Sequence, residues 1–199
     1  MPRLSQARLN DRRKALVAAA RQAFAEHGYE ATSIAGIARR AGVSDGLLYR
    51  YFTDKRALLA AVLTQYMEEM VALAKAAVAG SEGFEARLRA LIGAQFAAFA
   101  EDPDICDLYI RELRDTGAIP AGSPLRKAAR TYTDLLVEIV RSAEAAGEIE
   151  PGTDPRMIRD LVFGGIEHIA WHSLTGGPPL NVDRLAERLA RLVARGIAR

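Results

Sequence analysis

The chain of 199 residues is half hydrophobic and 26% charged, enough apolar material for one large domain or a small domain joined to a larger one. Its single cysteine, Cys106, excludes an intrachain disulfide and suits a reducing cytoplasm. The net charge of +2 hides an asymmetry: residues 1–56 hold 11 Lys and Arg against 5 Asp and Glu, the remainder 16 against 20, so an anionic partner is expected for the N-terminal quarter alone.

Alanine, leucine and arginine dominate, which is helix-forming composition. Arg12, Arg13 and Lys14 before Ala15–Ala20 imitate a signal peptide, but Arg21 interrupts the apolar stretch and no cleavage-like site follows. No apolar run approaches the ~20 residues that span a bilayer, so no membrane partner is expected. The first helix is expected from Asn10 or Asp11 to Glu26, with Leu16, Ala19, Ala20, Ala23 and Phe24 on one face and Gly28 ending it. In the stretch Thr32–Lys55, Ile34, Ile37, Ala38 and Ala41 share a face, and Gly42 offers the left-handed backbone that ends a helix. Val43 fills the corner, and Ser44 is a preferred N-cap for a third helix, Asp45–Tyr51. Helix, short glycine turn, helix is the form of a helix-turn-helix, whose second helix enters the DNA major groove. Leu16, Phe24, Ile34, Ile37, Val43, Leu48 and Phe52 would form a small core, marginal on its own.

A fourth helix follows to about Ala79, capped by Thr53 or Asp54, and the Gly80–Gly83 break ends it. Further helices are expected over Phe84–Ala100, Asp104–Arg114, Leu125–Ala146, Arg156–Leu174 and Val182–Ala198, with a loop at residues 116–124. Nothing alternates with period two over a strand length, so the fold class is all-α.

Phe24, Gly28 and Tyr29, then Thr32-Ser33, Ile37-Ala38, Ala41-Gly42-Val43-Ser44, Gly46, Leu48-Tyr49, Tyr51-Phe52, Lys55 and Ala57-Leu58-Leu59 resemble, in order and spacing, the TetR family of bacterial transcription regulators. Beyond Leu59 the likeness is one of helix number and length. The resemblance implies a DNA-binding domain over residues 1–55 and a ligand-binding and dimerisation domain over 56–199. It implies that Thr32 or Ser33, Tyr49 and Lys55 touch DNA phosphates, a chemistry suited to hydroxyls and an ammonium. N-capping is the alternative for Thr32 and Ser33, and a plain surface charge for Lys55. Base readers would be Asp45, Leu47 and Arg50, with Arg39 or Arg40 nearby, and Ser44, Gly46 and Tyr51 complete the expected surface. Leu47 stands where many relatives carry threonine, so a polar contact gives way to an apolar one with a thymine methyl.

For the larger domain, the resemblance implies that some of Tyr66, Met67, Met70, Phe96, Phe99, Tyr109, Tyr132 and Phe163 line an apolar effector pocket, with core packing the alternative for each. Tyr109-Ile110-Arg111-Glu112-Leu113-Arg114 and Phe163-Gly164-Gly165-Ile166-Glu167-His168 with Trp171 look like the acyl-CoA-responsive branch that controls fatty-acid degradation. Arg111, Arg114, Arg126, Lys127 and Arg130 could then hold an anionic, phosphate-bearing head, or else pair at the surface with Glu112, Asp115 and Asp134. The last two helices, through Ile158, Leu161, Val162, Ile166, Ile169, Leu185, Leu189, Leu192 and Val193, are the implied homodimer interface. Gly164-Gly165 would permit close approach of another helix. His168 and His172 lack an evident third metal ligand, and no catalytic triad or phosphate loop occurs, so neither a metal, a cofactor nor an enzymatic activity is expected.

The expected function is a ligand-responsive repressor whose dimer spans a palindromic operator of double-stranded DNA, with recognition helices ~34–36 Å apart. A small hydrophobic effector, an acyl-CoA or else an apolar xenobiotic, would release it through the fourth helix acting as a lever. An activator, and a helical carrier or enzyme without DNA function, are the alternatives.

Overall fold

The computed structural model describes residues 6–114, 120 and 122–198. Among them run α1 (Gln6–Ala31), α2 (Ile34–Arg40), α3 (Asp45–Tyr49), α4 (Lys55–Ala79), α5 (Phe84–Glu101), α6 (Pro103–Arg114), α7 (Pro124–Ala145), α8 (Pro155–Leu174) and α9 (Val182–Gly196). The fold is all-α. Three of these helices open on proline, where the missing N–H is no loss and the fixed φ already suits a helix. Most of the loop expected at residues 116–124 lies outside the described residues.

Contacts divide the chain into two units, parting between Tyr66 and Met67. The first unit therefore takes in the opening three turns of α4, which the 55/56 boundary assigned to the second. Contacts of its own account for this: Lys55 is tied to the end of α1, and the Arg21 guanidinium lies 5.6 Å from the Tyr66 ring centre.

In the first unit, Leu16, Phe24, Ile37, Leu48 and Phe52 are buried, while Ile34 and Val43 are only half-buried, at the start of α2 and in the turn. Gly28 breaks α1 with φ 75°, and the chain turns there into Thr32. The turn between α2 and α3 is held by local chemistry. Ser33 Oγ accepts from Gly36 N at 3.0 Å, Ser44 Oγ accepts from Leu47 N at 3.3 Å, and Gly42 takes φ 66° between them.

In the second unit α5 is the central helix, packing against α6, α7, α8 and α9. Its buried stripe is Phe84, Leu88, Leu91, Ile92, Gln95, Phe96 and Phe99. α5 has no cap from its own preceding residue, Gly83. Glu148, from the turn after α7, supplies one instead: its carboxylate accepts from Phe84 N at 2.6 Å. The neighbouring Glu150 N donates to Ile197 O at 2.9 Å, so one turn ties together the start of α5 and the end of α9. Glu148→Ala should lower the stability of this unit by about 1.5–3 kcal/mol, the usual worth of a charge-assisted hydrogen bond at a helix N-terminus. Urea unfolding followed by circular dichroism checks this.

The sequence suggested no segment able to span a bilayer, yet α4 has 25 residues and an 18-residue window of mean hydropathy 1.3, enough by length and composition. Its apolar character has another use. Leu58, Leu59, Val62, Leu63, Met67 and Met70 are buried in protein, and Glu68 and Glu69 stand exposed in mid-helix.

Candidate functional site

On the exterior of the helix-turn-helix, α3 buries Leu48 and turns its other side chains outward. Tyr49 is 53% exposed, Ser44, Asp45, Gly46 and Arg50 are exposed, and Leu47 and Tyr51 are half-buried. Of the two tyrosines two residues apart, Tyr49 is thus the outward one. A Cβ on Gly46 would meet nothing within 4 Å, so the fold itself does not require glycine there. Its smallness leaves the first turn of α3 bare, open to close approach by a partner.

Three residues expected to meet DNA are committed elsewhere. Thr32 is buried, and its Oγ1 lies 2.7 Å from Gly28 O and 3.0 Å from Ala23 O. The hydroxyl closes the carbonyls left open by the break at Gly28, so it cannot also donate to a phosphate. Of the Thr32-Ser33 pair, only Ser33 is exposed, and its oxygen caps α2. Lys55 Nζ donates to Tyr29 O at 2.8 Å and to Glu30 O and Thr32 O at 3.2 Å, and lies 4.3 Å from the Tyr29 ring centre. An ammonium has three donors, and each already has a carbonyl. Arg40 forks onto the Glu26 carboxylate of α1, Nη1 to Oε1 at 2.8 Å and Nη2 to Oε2. The bond holds the Glu26 carboxyl below and the Arg40 guanidinium above their ordinary pKa.

The sequence did not show the contacts of Glu26 with Arg40, of Tyr29 with Lys55, or of Arg13, whose guanidinium lies 5.2 Å from the Phe52 ring centre. All three contacts join residues 14 to 39 positions apart, a separation that helical periodicity does not register.

In the second unit, Met67, Met70, Phe96, Phe99, Tyr109, Tyr132 and Phe163 are all buried. The Tyr132 and Phe163 rings lie 5.5 Å apart, and Tyr132 Oη donates toward Leu91 O at 3.5 Å. Burial pushes both the Tyr109 and the Tyr132 hydroxyl upward, so both stay neutral donors. It also pushes the Cys106 thiol up to about 12, with Asp107, Asp102 and Glu167 adding to the effect, which leaves an inert thiol. Phe99 and Cys106 line a cavity of about 200 Å³ together with Pro103, Ala170, Ser173 and Leu174.

Tyr66 belongs to the first unit, and is not among the residues of this core. Arg111 is exposed: its Nε donates to Asp107 Oδ2 at 2.7 Å, one turn earlier on α6, and its guanidinium lies 5.4 Å from the Trp171 ring centre. It packs on the surface instead of facing the core. The Arg114 side chain lies outside the described residues. Arg126, Lys127 and Arg130 are exposed along α7.

On α8 and α9, Ile158, Val162 and Ile166 are buried within the chain's own core, because they fall on the face of α8 opposite Met157, Leu161 and Gly164. Leu161 is 63% and Leu192 71% exposed. A Cβ on Gly164 or Gly165 would meet nothing within 4 Å.

The chain is similar to the fatty acid metabolism regulator protein of Bacillus subtilis, 24% identical over 182 residues, which cover 92% of this chain and 93% of that protein. It is also similar to the HTH-type transcriptional repressor KstR2 of Mycobacterium tuberculosis, 25% identical over 194 residues, covering 96% and 95%. A crystal structure of the transcriptional regulator FadR from Bacillus subtilis in complex with stearoyl-CoA superposes with a TM-score of 0.80 at 24% identity, covering 92% of this chain and 98% of that one. Residues 16–62 match the model of bacterial regulatory proteins of the tetR family, and residues 81–197 match that of the tetracyclin repressor-like C-terminal domain. With the two matches covering its helix-turn-helix and its larger unit, the chain belongs to the tetR family of bacterial regulatory proteins.

Proposed function

We propose that the protein is a cytoplasmic homodimeric repressor that holds a palindromic operator and leaves it when the second unit binds a small hydrophobic effector, an acyl-CoA by preference. The observation that carries the DNA reading is the division of α3: Leu48 is buried while Tyr49 and Arg50 stand free of the core. Tyr49 and Ser33 serve as phosphate contacts that set register, and Arg50, with its bidentate fork, reads a base. Asp45, Gly46, Leu47 and Tyr51 shape the surface around them. Thr32, Arg40 and Lys55 tie that surface to α1 and its end.

The effector class is supported by the buried aromatic and methionine cluster and by likeness to a regulator solved with stearoyl-CoA. α4 is one continuous helix that starts at Lys55 and runs past the division between the units, a ready lever from effector to DNA. A coupling of about 1–3 kcal/mol between the sites would weaken DNA binding about 5–150-fold.

The test is a gel shift on the DNA upstream of the protein's own gene at two salt concentrations, with and without an acyl-CoA series. Salt-sensitive binding released by one range of chain lengths is expected, and absence of salt-sensitive binding removes the DNA reading. Arg50→Ala should lose about 1–3 kcal/mol of discrimination at one base pair, whereas Tyr49→Phe should weaken all operator variants alike. Unchanged discrimination in Arg50→Ala would assign the base reading to another residue.

A further inference from the structure

Gln95 lies in the middle of α5, only 4% exposed, and among the described residues no group donates to its Oε1. Leaving a buried amide oxygen unpaired costs about 1–3 kcal/mol, and leucine would fill similar space without that cost. Its direction follows from the helix. A Cβ on Gly93 would lie 3.6 Å from Ala186 Cβ, so that side of α5 meets α9. Two residues on, at 100° each, Gln95 points away from α9. One turn earlier on the same stripe, Leu91 O receives the Tyr132 hydroxyl, and one turn later Phe99 lines the cavity of about 200 Å³. The unpaired oxygen thus sits one turn from the Tyr132 hydroxyl and one turn from Phe99, which forms a wall of the cavity together with Pro103, Cys106, Ser173 and Leu174; Gln95 itself is not part of that wall. Apolar walls with a few placed polar groups are what marks ligand sites. A cavity of ~150 Å³ suffices for benzene, so this one takes a single ring or a short length of chain.

We propose that Gln95 Oε1 accepts a hydrogen bond from a hydroxyl or N–H on the buried part of the effector, which makes the effector a hydroxylated or amide-bearing apolar molecule, not one with a bare alkyl end. The inference rests on the reading of the second unit as an effector-binding unit. It does not require that the effector carry CoA, and within the acyl-CoA class it selects hydroxylated or amide-bearing chains over plain alkyl ones.

The full-length protein and Gln95→Leu are titrated with p-cresol and with p-xylene, which differ by a hydroxyl in place of a methyl, and binding is read by calorimetry. Wild type should bind p-cresol about tenfold more tightly, an advantage of about 1.4 kcal/mol. Gln95→Leu should lose or reverse that preference and, without ligand, melt higher than wild type. Equal affinity of wild type for the two probes overturns the inference without recourse to any variant, and so does a preference that survives in Gln95→Leu. Palmitoyl-CoA and 16-hydroxypalmitoyl-CoA are run alongside. If neither binds while the cresol preference depends on Gln95, the acyl-CoA reading falls and this inference stands. If both bind equally and p-cresol has no advantage, the acyl-CoA reading stands and this inference falls.

Discussion

Lys55→Met should lower operator affinity while leaving its salt dependence unchanged, and should lower the melting point of the first unit. A lysine that neutralised a phosphate would release about one counterion on binding, and its loss would flatten the slope of log affinity against log salt by ~0.9. The three hydrogen bonds from Lys55 Nζ go instead to Tyr29 O, Glu30 O and Thr32 O, with the Tyr29 ring beneath. The first two carbonyls belong to the broken end of α1 and the third follows directly after it, where Gly28 has interrupted the helical ladder and the dipole is negative. Removing the ammonium leaves them to solvent in a half-buried corner, a loss of about 2–4 kcal/mol after allowing for exposure and for bonds that do not add. The residues on that corner set the start of both α2 and α4, so the recognition surface loses its register along with the stability. Lys55→Arg should not restore it, because a planar fork cannot point at three converging carbonyls as a compact ammonium does. Salt-series gel shifts and thermal unfolding of the same preparations decide the matter. A slope flattened by about one with unchanged melting would return Lys55 to the phosphate backbone.

How far the sequence carried is itself a matter of physical range. The two turns of the helix-turn-helix were legible because their chemistry is local: Ser33 and Ser44 cap the helix that begins at the next residue, and Gly42 supplies its own φ. The extents of α5 and α7 were legible because apolar residues recur along them at helical spacing. The roles of Thr32, Arg40 and Lys55 were not, since each depends on a partner 4 to 26 residues away whose approach is decided by the kink at Gly28 and the packing that follows it. Hydroxyls and cations look alike in sequence whether they face a phosphate or a carbonyl. In the larger unit, periodicity could not tell core from lining, and it placed the buried Ile158, Val162 and Ile166 on the same footing as the exposed Leu161. Only the orientation of α8 separates them.

Leu161→Asp combined with Leu192→Asp should give a folded monomer and weaken operator binding about 10²–10⁴-fold. Within a single chain both leucines are mostly exposed, so carboxylates there cost the fold little, within about 0.5 kcal/mol each. In a two-fold dimer the same surface meets its own copy, and each aspartate would face its mate or a buried apolar patch. The large loss on DNA comes from geometry: one half-site held already places the second recognition helix at an effective concentration in the millimolar range, an advantage lost entirely by a monomer. Gly164 provides an independent check because its two effects have opposite signs. As an exposed position inside α8, it weakens the helix by about 1 kcal/mol relative to alanine, and nothing in its own chain fills the space beside it. Gly164→Leu should therefore raise helix content and stability in the monomer while blocking the close approach of a second α8. Sedimentation velocity, gel shift and thermal unfolding together give the answer. A Gly164→Leu protein that stays dimeric with unchanged operator affinity would place the dimer contact on some other face.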